Sequence, residues 1–291
     1  MMAQSRSTII KTVTLSGCGW LGQPLAKSLM AHGAQVFGTT TRSSQLDILN
    51  QQGIQARLFS LNTAQPNAQH YSASLCTAFT QSQTLVINIP PGRRHINAEP
   101  FIASIQHLIN KAVSLQPTLQ IIFISTTSVF GALTGIVDED TPTAPNTASG
   151  AAHAILEQWC LDKYPKQACV VRLAGLIDAH RHPITALINR EQIQHGQQVV
   201  NLVHQTDVVN ALTALIKHSV DEVAGKIFHL CAPEHPTRAE YYQAAAQHKQ
   251  LGRVDFVPSD SVASQGKIVH AQKTQQQLGF EYLYTSPYDM L

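Results

Sequence analysis

Short apolar runs alternate with longer amphipathic stretches along most of the chain. The runs read as strands at Thr12–Ser16, Gln35–Gly38, Thr84–Ile89, Gln120–Ser125 and Ala168–Leu173. Helix-period stretches lie between them at Leu21–His32, Ser44–Gln52, Pro100–Ser114 and Ala148–Lys163. This order builds βαβ units, whose right-handed crossovers lay helices on both faces of one sheet. Strands covered on both faces read as near-continuous apolar runs. The expected fold is α/β, a doubly wound parallel sheet.

After about Leu176 the rhythm loosens. A segment rich in His, Arg and Gln, Asp178–Gln198, leads to a strand at Val199–Val203, a helix at Asp207–His218, a strand at Lys226–Cys231 and a helix at Thr237–Lys249. A last small helix is expected within Gly266–Phe280. This places a dinucleotide-binding domain of the Rossmann type at 8–176 and a small C-terminal, substrate-side lobe at 177–291. Segments at about 199–231 return to pack on the first domain.

The 291 residues carry a formal net charge of +2, and 13% are charged against the usual ~25%. With 44% hydrophobic residues, the chain has the composition of a folded protein, and disorder is excluded. The near-neutral balance offers no field for nucleic acid or a membrane surface. Basic residues are not interleaved with aromatics, and no run is apolar for long enough to span a bilayer. Lys11 splits the first apolar stretch, so the N-terminus reads as a polar lead into a strand and not as a signal peptide. Cys18, Cys76, Cys160, Cys169 and Cys231 are odd in number, scattered and without a CxxC pair, which points to a reducing cytoplasm.

Candidate chemistry begins at Ser16-Gly17-Cys18-Gly19-Trp20-Leu21-Gly22, a GxGxxG directly after the first strand and before the first helix. In that context Gly17 permits a tight turn, Gly19 a close backbone approach to a pyrophosphate, and Gly22 close packing of helix on strand. The helix N-terminus adds N–H donors and partial positive charge. The alternative is a glycine-rich turn without a ligand. The second strand ends in Gly38-Thr39-Thr40-Thr41-Arg42, with no carboxylate to hold the ribose 2′-hydroxyl of NAD. Either Arg42, helped by Thr40 and Thr41, meets a 2′-phosphate, or it caps a solvent-facing loop. The first reading favours NADP(H) over NAD(H). Ile89 and Pro90, with Pro91, form a donor-poor wall at the end of a later strand, followed by Arg93 and Arg94, which meet an anionic substrate or are solvated. Cys18, near a helix N-terminus, is either an oxidisable thiol or a residue chosen for size.

Further along come Ser125-Thr126-Thr127-Ser128-Val129-Phe130-Gly131, then Glu139, Pro142 and Pro145, then Val170-Val171-Arg172-Leu173, His204-Gln205-Thr206-Asp207 and Leu278-Gly279-Phe280. Together with the glycine loop these resemble the extended short-chain dehydrogenase/reductase superfamily, in its sugar-nucleotide epimerase and dehydratase branch. The resemblance covers about Lys11 to Tyr284. It implies an NAD(P)-dependent enzyme, a nucleotide sugar or related small molecule as substrate, and a homodimer formed through a helix pair.

One departure outweighs the matches. The superfamily's Y-x-x-x-K pair, a tyrosine acid/base with a lysine that lowers its pKa, is missing. Aligned on Glu157, it falls on Ser149 and His153. These stand at i and i+4 on one helix face. A histidine titrates near neutral pH and can serve as a base, so either Ser149 and His153 form a non-standard acid/base or they are incidental polar residues. Thr126 aligns with the superfamily's serine/threonine that hydrogen-bonds the substrate oxygen. Its alternative role is to satisfy a strand-end amide. Phe130 stands where a tyrosine is usual, and Ile177-Asp178-Ala179 stands where a Tyr-Gly-Pro is usual, which leaves Arg181 and His182 to face substrate. His180, His182, His229 and His235 raise a metal site with no third ligand fixed by spacing. His204 and Asp207 read as a strand end and a helix cap. Two functions therefore stay open: an enzyme using Thr126, Ser149 and His153, or a non-catalytic NADP(H)-binding regulatory or redox-sensing protein.

Overall fold

The computed structural model describes residues 12–92, 97–188, 190–257 and 266–291. Strands in chain order are β1 (Thr12–Ser16), β2 (Gln35–Thr40), β3 (Gln55–Leu58), β4 (Thr84–Ile87), β5 (Gln120–Thr126), β6 (Gly135–Val137), β7 (Ala168–Leu173), β8 (Gly175–Ile177), β9 (Leu202–His204), β10 (Ile227–Leu230) and β11 (Lys267–Val269). Helices are α1 (Gly22–Ala31), α2 (Leu46–Gln51), α3 (Ala73–Gln81), α4 (Ala98–Leu115), α5 (Ala148–Lys163), α6 (Ile184–Leu187), α7 (Gln205–Lys217), α8 (Val220–Val223), α9 (Arg238–His248) and α10 (Gln272–Leu278). A seven-stranded parallel sheet runs β10-β7-β5-β4-β1-β2-β3 and is flanked by helices, the Rossmann-type α/β fold expected from the alternation.

The chain forms two compact units. The first draws its described residues from Met1–Ser125, Thr147–Val171 and Val209–Ile227. In it, β1, β4 and β7 are buried along their whole length, so they are shielded on both faces. One core packs Phe79 of α3, Ile105 and Leu108 of α4 and Leu156 of α5 with Leu85, Ile121 and Val170 of the strands. The alternate threonines of β1 are buried too, and Thr14 is satisfied by a 2.7 Å hydrogen bond to Ser82.

The second unit draws its described residues from Thr126–Asn146, Arg172–Val208 and Phe228–Leu291. It holds two small parallel pairs, β6 with β11 and β8 with β9. Its core gathers Ile184, Leu202, Tyr241, Ala245 and Met290. A capping box at Thr237 and Glu240 starts α9.

Several local expectations change. β3 and α3 were not legible, because Gln-Ala-Arg-Leu turns only Ala56 fully inward and α3 is short and rich in Ser and Thr. The strand expected at Val199–Val203 begins at Leu202, while Val199 makes only a single antiparallel bridge to Thr237. The tail carries a strand, β11, ahead of its helix, since Lys267–Val269 pairs with β6. The stretch Ser44–Gln52 opens as a 3-10 turn before α2. No described helix is long and apolar enough to cross a membrane.

Candidate functional site

The glycine loop joins β1 to α1, and its three glycines have different physical reasons. Gly17 has φ +98°, and a Cβ there would lie 2.2 Å from the carbonyl oxygen of Asn88. At Gly22 a Cβ would lie 2.5 Å from the carbonyl oxygen of Gly17, so this glycine is a packing requirement. At Gly19 a Cβ would meet nothing within 4 Å. The backbone there faces open space, as an approach by a phosphate requires. α1 starts after Leu21 without a side-chain cap and without an acidic residue in its first turn, so its positive end is left for an anion. Trp20 is half-buried beside this end, whereas Leu21 is buried. These residues fit a dinucleotide diphosphate.

The walls of the loop are made by two residues that no spacing motif marks. The Gly17 N–H donates to Thr39 Oγ1 at 2.9 Å, and Asn88 Nδ2 donates to the Gly17 carbonyl at 3.0 Å. Their partners are 22 and 71 positions away in sequence, so only the fold brings them together. The thiol of Cys18 packs 3.0 Å from where a Gly38 Cβ would sit, and burial pushes its pKa up to about 12. This corrects the oxidisable reading. Desolvation outweighs the helix end, and Cys18 serves as a filler of fixed size.

At the end of β2, Thr40 Oγ1 accepts the Arg42 N–H at 3.2 Å, and Thr41 and Arg42 are exposed. After β4, Ile89 is half-buried against the core while Pro90 is exposed. Arg93 and Arg94 lie outside the described residues.

Ser149 and His153 both lie on α5, one turn apart, with Thr147 capping the helix by accepting the Gly150 N–H at 3.1 Å. Ser149 is half-buried. His153 is only 6% exposed, with the rings of Phe123 at 5.6 Å and Phe101 at 6.5 Å. Burial pushes its pKa down to about 4, so the ring is neutral at pH 7, and its Nδ1 is buried with no hydrogen-bond partner. One turn further along α5, the buried Glu157 accepts a hydrogen bond from Ser125 Oγ at the end of β5.

Thr126, in the second unit, is half-buried. Its hydroxyl accepts the Ser128 N–H at 3.1 Å and donates to Ser128 Oγ, capping the following turn. Phe130 is buried with the Arg172 guanidinium 5.0 Å from its ring centroid and His229 at 5.5 Å.

Both ring nitrogens of His182 are engaged. Nδ1 accepts the Ile184 N–H at 3.1 Å, so Nε2 carries the proton and donates to Tyr241 at 2.7 Å. That arrangement leaves no lone pair for a metal, and among the described residues no group of three metal-ligating side chains forms. His204 ends β9 as expected, but Asp207 does not cap α7. His204 Nδ1 accepts the Thr206 N–H at 3.2 Å, while the fully buried Asp207 sits inside α7 and accepts the Leu283 and Tyr284 N–H groups at 2.8 and 3.2 Å.

The match to the NAD dependent epimerase/dehydratase family spans residues 15–231. The chain is 35% identical to Protein YeeZ of Escherichia coli (strain K12) over 279 residues, 96% of this chain and 98% of that one. Its fold is similar to that of UDP-glucuronic acid 4-epimerase from Bacillus cereus in complex with NAD, at TM-score 0.76 and 15% identity, covering 96% and 95% of the two chains. It is also similar to UDP-glucose 4-epimerase from Thermotoga maritima with UDP-glucose, at TM-score 0.74 and 15% identity, covering 96% of each chain. The glycine loop, the parallel sheet and this coverage together place the protein: it belongs to the NAD dependent epimerase/dehydratase family.

Proposed function

We propose that the protein binds NADP(H) in preference to NAD(H) and acts on a nucleotide sugar or related small molecule, as an epimerase, dehydratase or reductase with a non-standard acid/base. The observation that carries this reading is the open approach at Gly19 beside an uncapped α1. Gly17, Gly19, Trp20, Leu21 and Gly22 hold the diphosphate, Thr40, Thr41 and Arg42 receive the 2′-phosphate, and Ile89 and Pro90 form a wall. The exposed guanidinium of Arg42 and the absence of any acid from Gly38 to Arg42 support the choice of NADP(H).

A bound nicotinamide supplies a position that accepts and returns a hydride. Thr126 turns its hydroxyl from Ser128 to a substrate oxygen. Ser149 passes the substrate hydroxyl proton to His153, which is in the free-base form at neutral pH because burial holds its pKa at about 4. A base that weak keeps turnover slow. The same observation favours a second reading, a non-catalytic NADP(H)-binding regulator or redox sensor, because a buried imidazole beside two phenylalanines resists charging. Four buried free thiols suit a reducing cytoplasm, and we also infer a homodimer.

Calorimetry with NADPH and NADH on wild type and Arg42→Ala tests the first part. A preference for NADPH that disappears in the variant supports it, and equal affinity in wild type overturns the Arg42 assignment. Turnover on UDP-glucose and UDP-glucuronic acid, the sugars of the structural relatives, separates the two functions. Ser149→Tyr/His153→Lys is the companion variant. Wild type outperforming it on a real substrate ends the sensor reading, while NADPH binding without turnover across a broad panel of nucleotide sugars and carbonyl compounds counts against the enzyme reading.

A further inference from the structure

We infer that Asn88 and Thr39 are positioning residues that set the affinity of the glycine loop for a dinucleotide. This rests on the dinucleotide-binding reading above. A loop that must turn at φ +98° and then present N–H groups to a ligand has to hold its peptide planes fixed. Here every polar backbone group entering the turn is tied to one of two walls. From the β2 side, Thr39 Oγ1 accepts the Gly17 N–H at 2.9 Å and the Thr39 carbonyl accepts the Cys18 N–H at 2.7 Å. From the β4 side, the Asn88 N–H donates to the Ser16 carbonyl at 2.8 Å and its side-chain amide donates to the Gly17 carbonyl at 3.0 Å.

That carbonyl is the pivot. It faces the Asn88 amide and also lies where a Gly22 Cβ would be, only 2.5 Å away. Its direction fixes the plane of the peptide that leads into residues 18–22, and the Asn88 amide holds it where Gly22 packs against it. Thr39 is 3% exposed and Asn88 half-buried, so neither bond is exchanged freely with water. A site fixed before its ligand arrives spends less of the interaction on ordering. Losing the amide leaves the Gly17 carbonyl with one partner fewer and the loop free to sample other turns.

The test uses the full chain and NADPH and NADH as probes. Their dissociation constants are measured by calorimetry on wild type, Asn88→Ala and Thr39→Val under conditions where all three are folded, and urea midpoints are measured without ligand. The expected result is about tenfold weaker binding of both cofactors in each variant, the scale of one hydrogen bond lost at a preorganised site. If the two residues serve only the stability of the sheet, the urea midpoint falls while the folded variants bind within about twofold of wild type, and the inference is overturned. Wild type that binds neither cofactor at millimolar concentration overturns the dinucleotide reading instead.

Discussion

Two parts of the first unit stand in contrast: the β1–α1 loop and the face of α5 that carries Ser149 and His153. The loop's entering backbone is provided for, although the Ser16 hydroxyl at its start is buried without a hydrogen-bond partner. Its entering N–H and C=O groups have partners, its two tight positions are glycine for measurable steric reasons, and its open position faces space. The α5 face is not. Its histidine is packed against apolar rings with one ring nitrogen orphaned. The proposed anion binding and proton handling therefore rest on different qualities of construction. A chain can keep the first intact while the second changes, because a backbone cradle depends on few side chains, whereas acid/base work depends on the identity of each.

The largest expected break is in the loop. Gly17→Val puts a branched side chain at φ +98° and within 2.2 Å of a carbonyl oxygen. It should cost at least ~3 kcal/mol of stability, read by urea denaturation, and abolish NADPH binding.

The next concerns acid. The folded-state pKa values of His153, His182 and His229 are pushed from 6.5 down to about 4 by burial. The unfolded chain then binds more protons than the folded one between those values. Stability should be greatest above pH 6.5 and fall as the pH drops toward 4. The loss reaches up to roughly 3 kcal/mol each for His153 and His229, and less for the better-screened His182, because each tenfold change in proton affinity between the two states is worth about 1.4 kcal/mol. A urea midpoint that is flat across this range would contradict the three burials.

His153→Leu sharpens the contrast between the two regions. Replacing a buried ring that has an unsatisfied nitrogen by an apolar side chain should leave stability at pH 7 unchanged or raise it by about 1 kcal/mol, and should remove one proton from the acid slope. Retained NADPH-linked turnover in this variant would remove His153 from the chemistry. The smallest effect is at Cys18, whose buried, high-pKa thiol should react with a thiol reagent more slowly than the half-buried Cys76.

The most legible elements were those whose own residues decide them. β1 and β7 have the bounds read from their apolar runs, and α5 begins where Thr147 caps it. The α9 start follows its Thr237 and Glu240 pair in the same way. The glycine loop was legible because its constraints are covalent and local. Thr39 and Asn88 were not, because their significance lies in contacts with a carbonyl and an amide far along the chain. The i, i+4 relation of Ser149 and His153 was visible, but not the phenylalanines around the ring, which come from β5 and α4. The role of Asp207 was hidden for the same reason, since the groups that it holds arrive nearly eighty residues later.

That last attachment bears on the end of the chain. The carboxylate of Asp207 is tied to the amides of residues 283 and 284, so the last stretch of chain is fastened to the start of α7. Trimming the chain before residue 283 would strip both donors from a buried carboxyl, so this stretch works as a keystone.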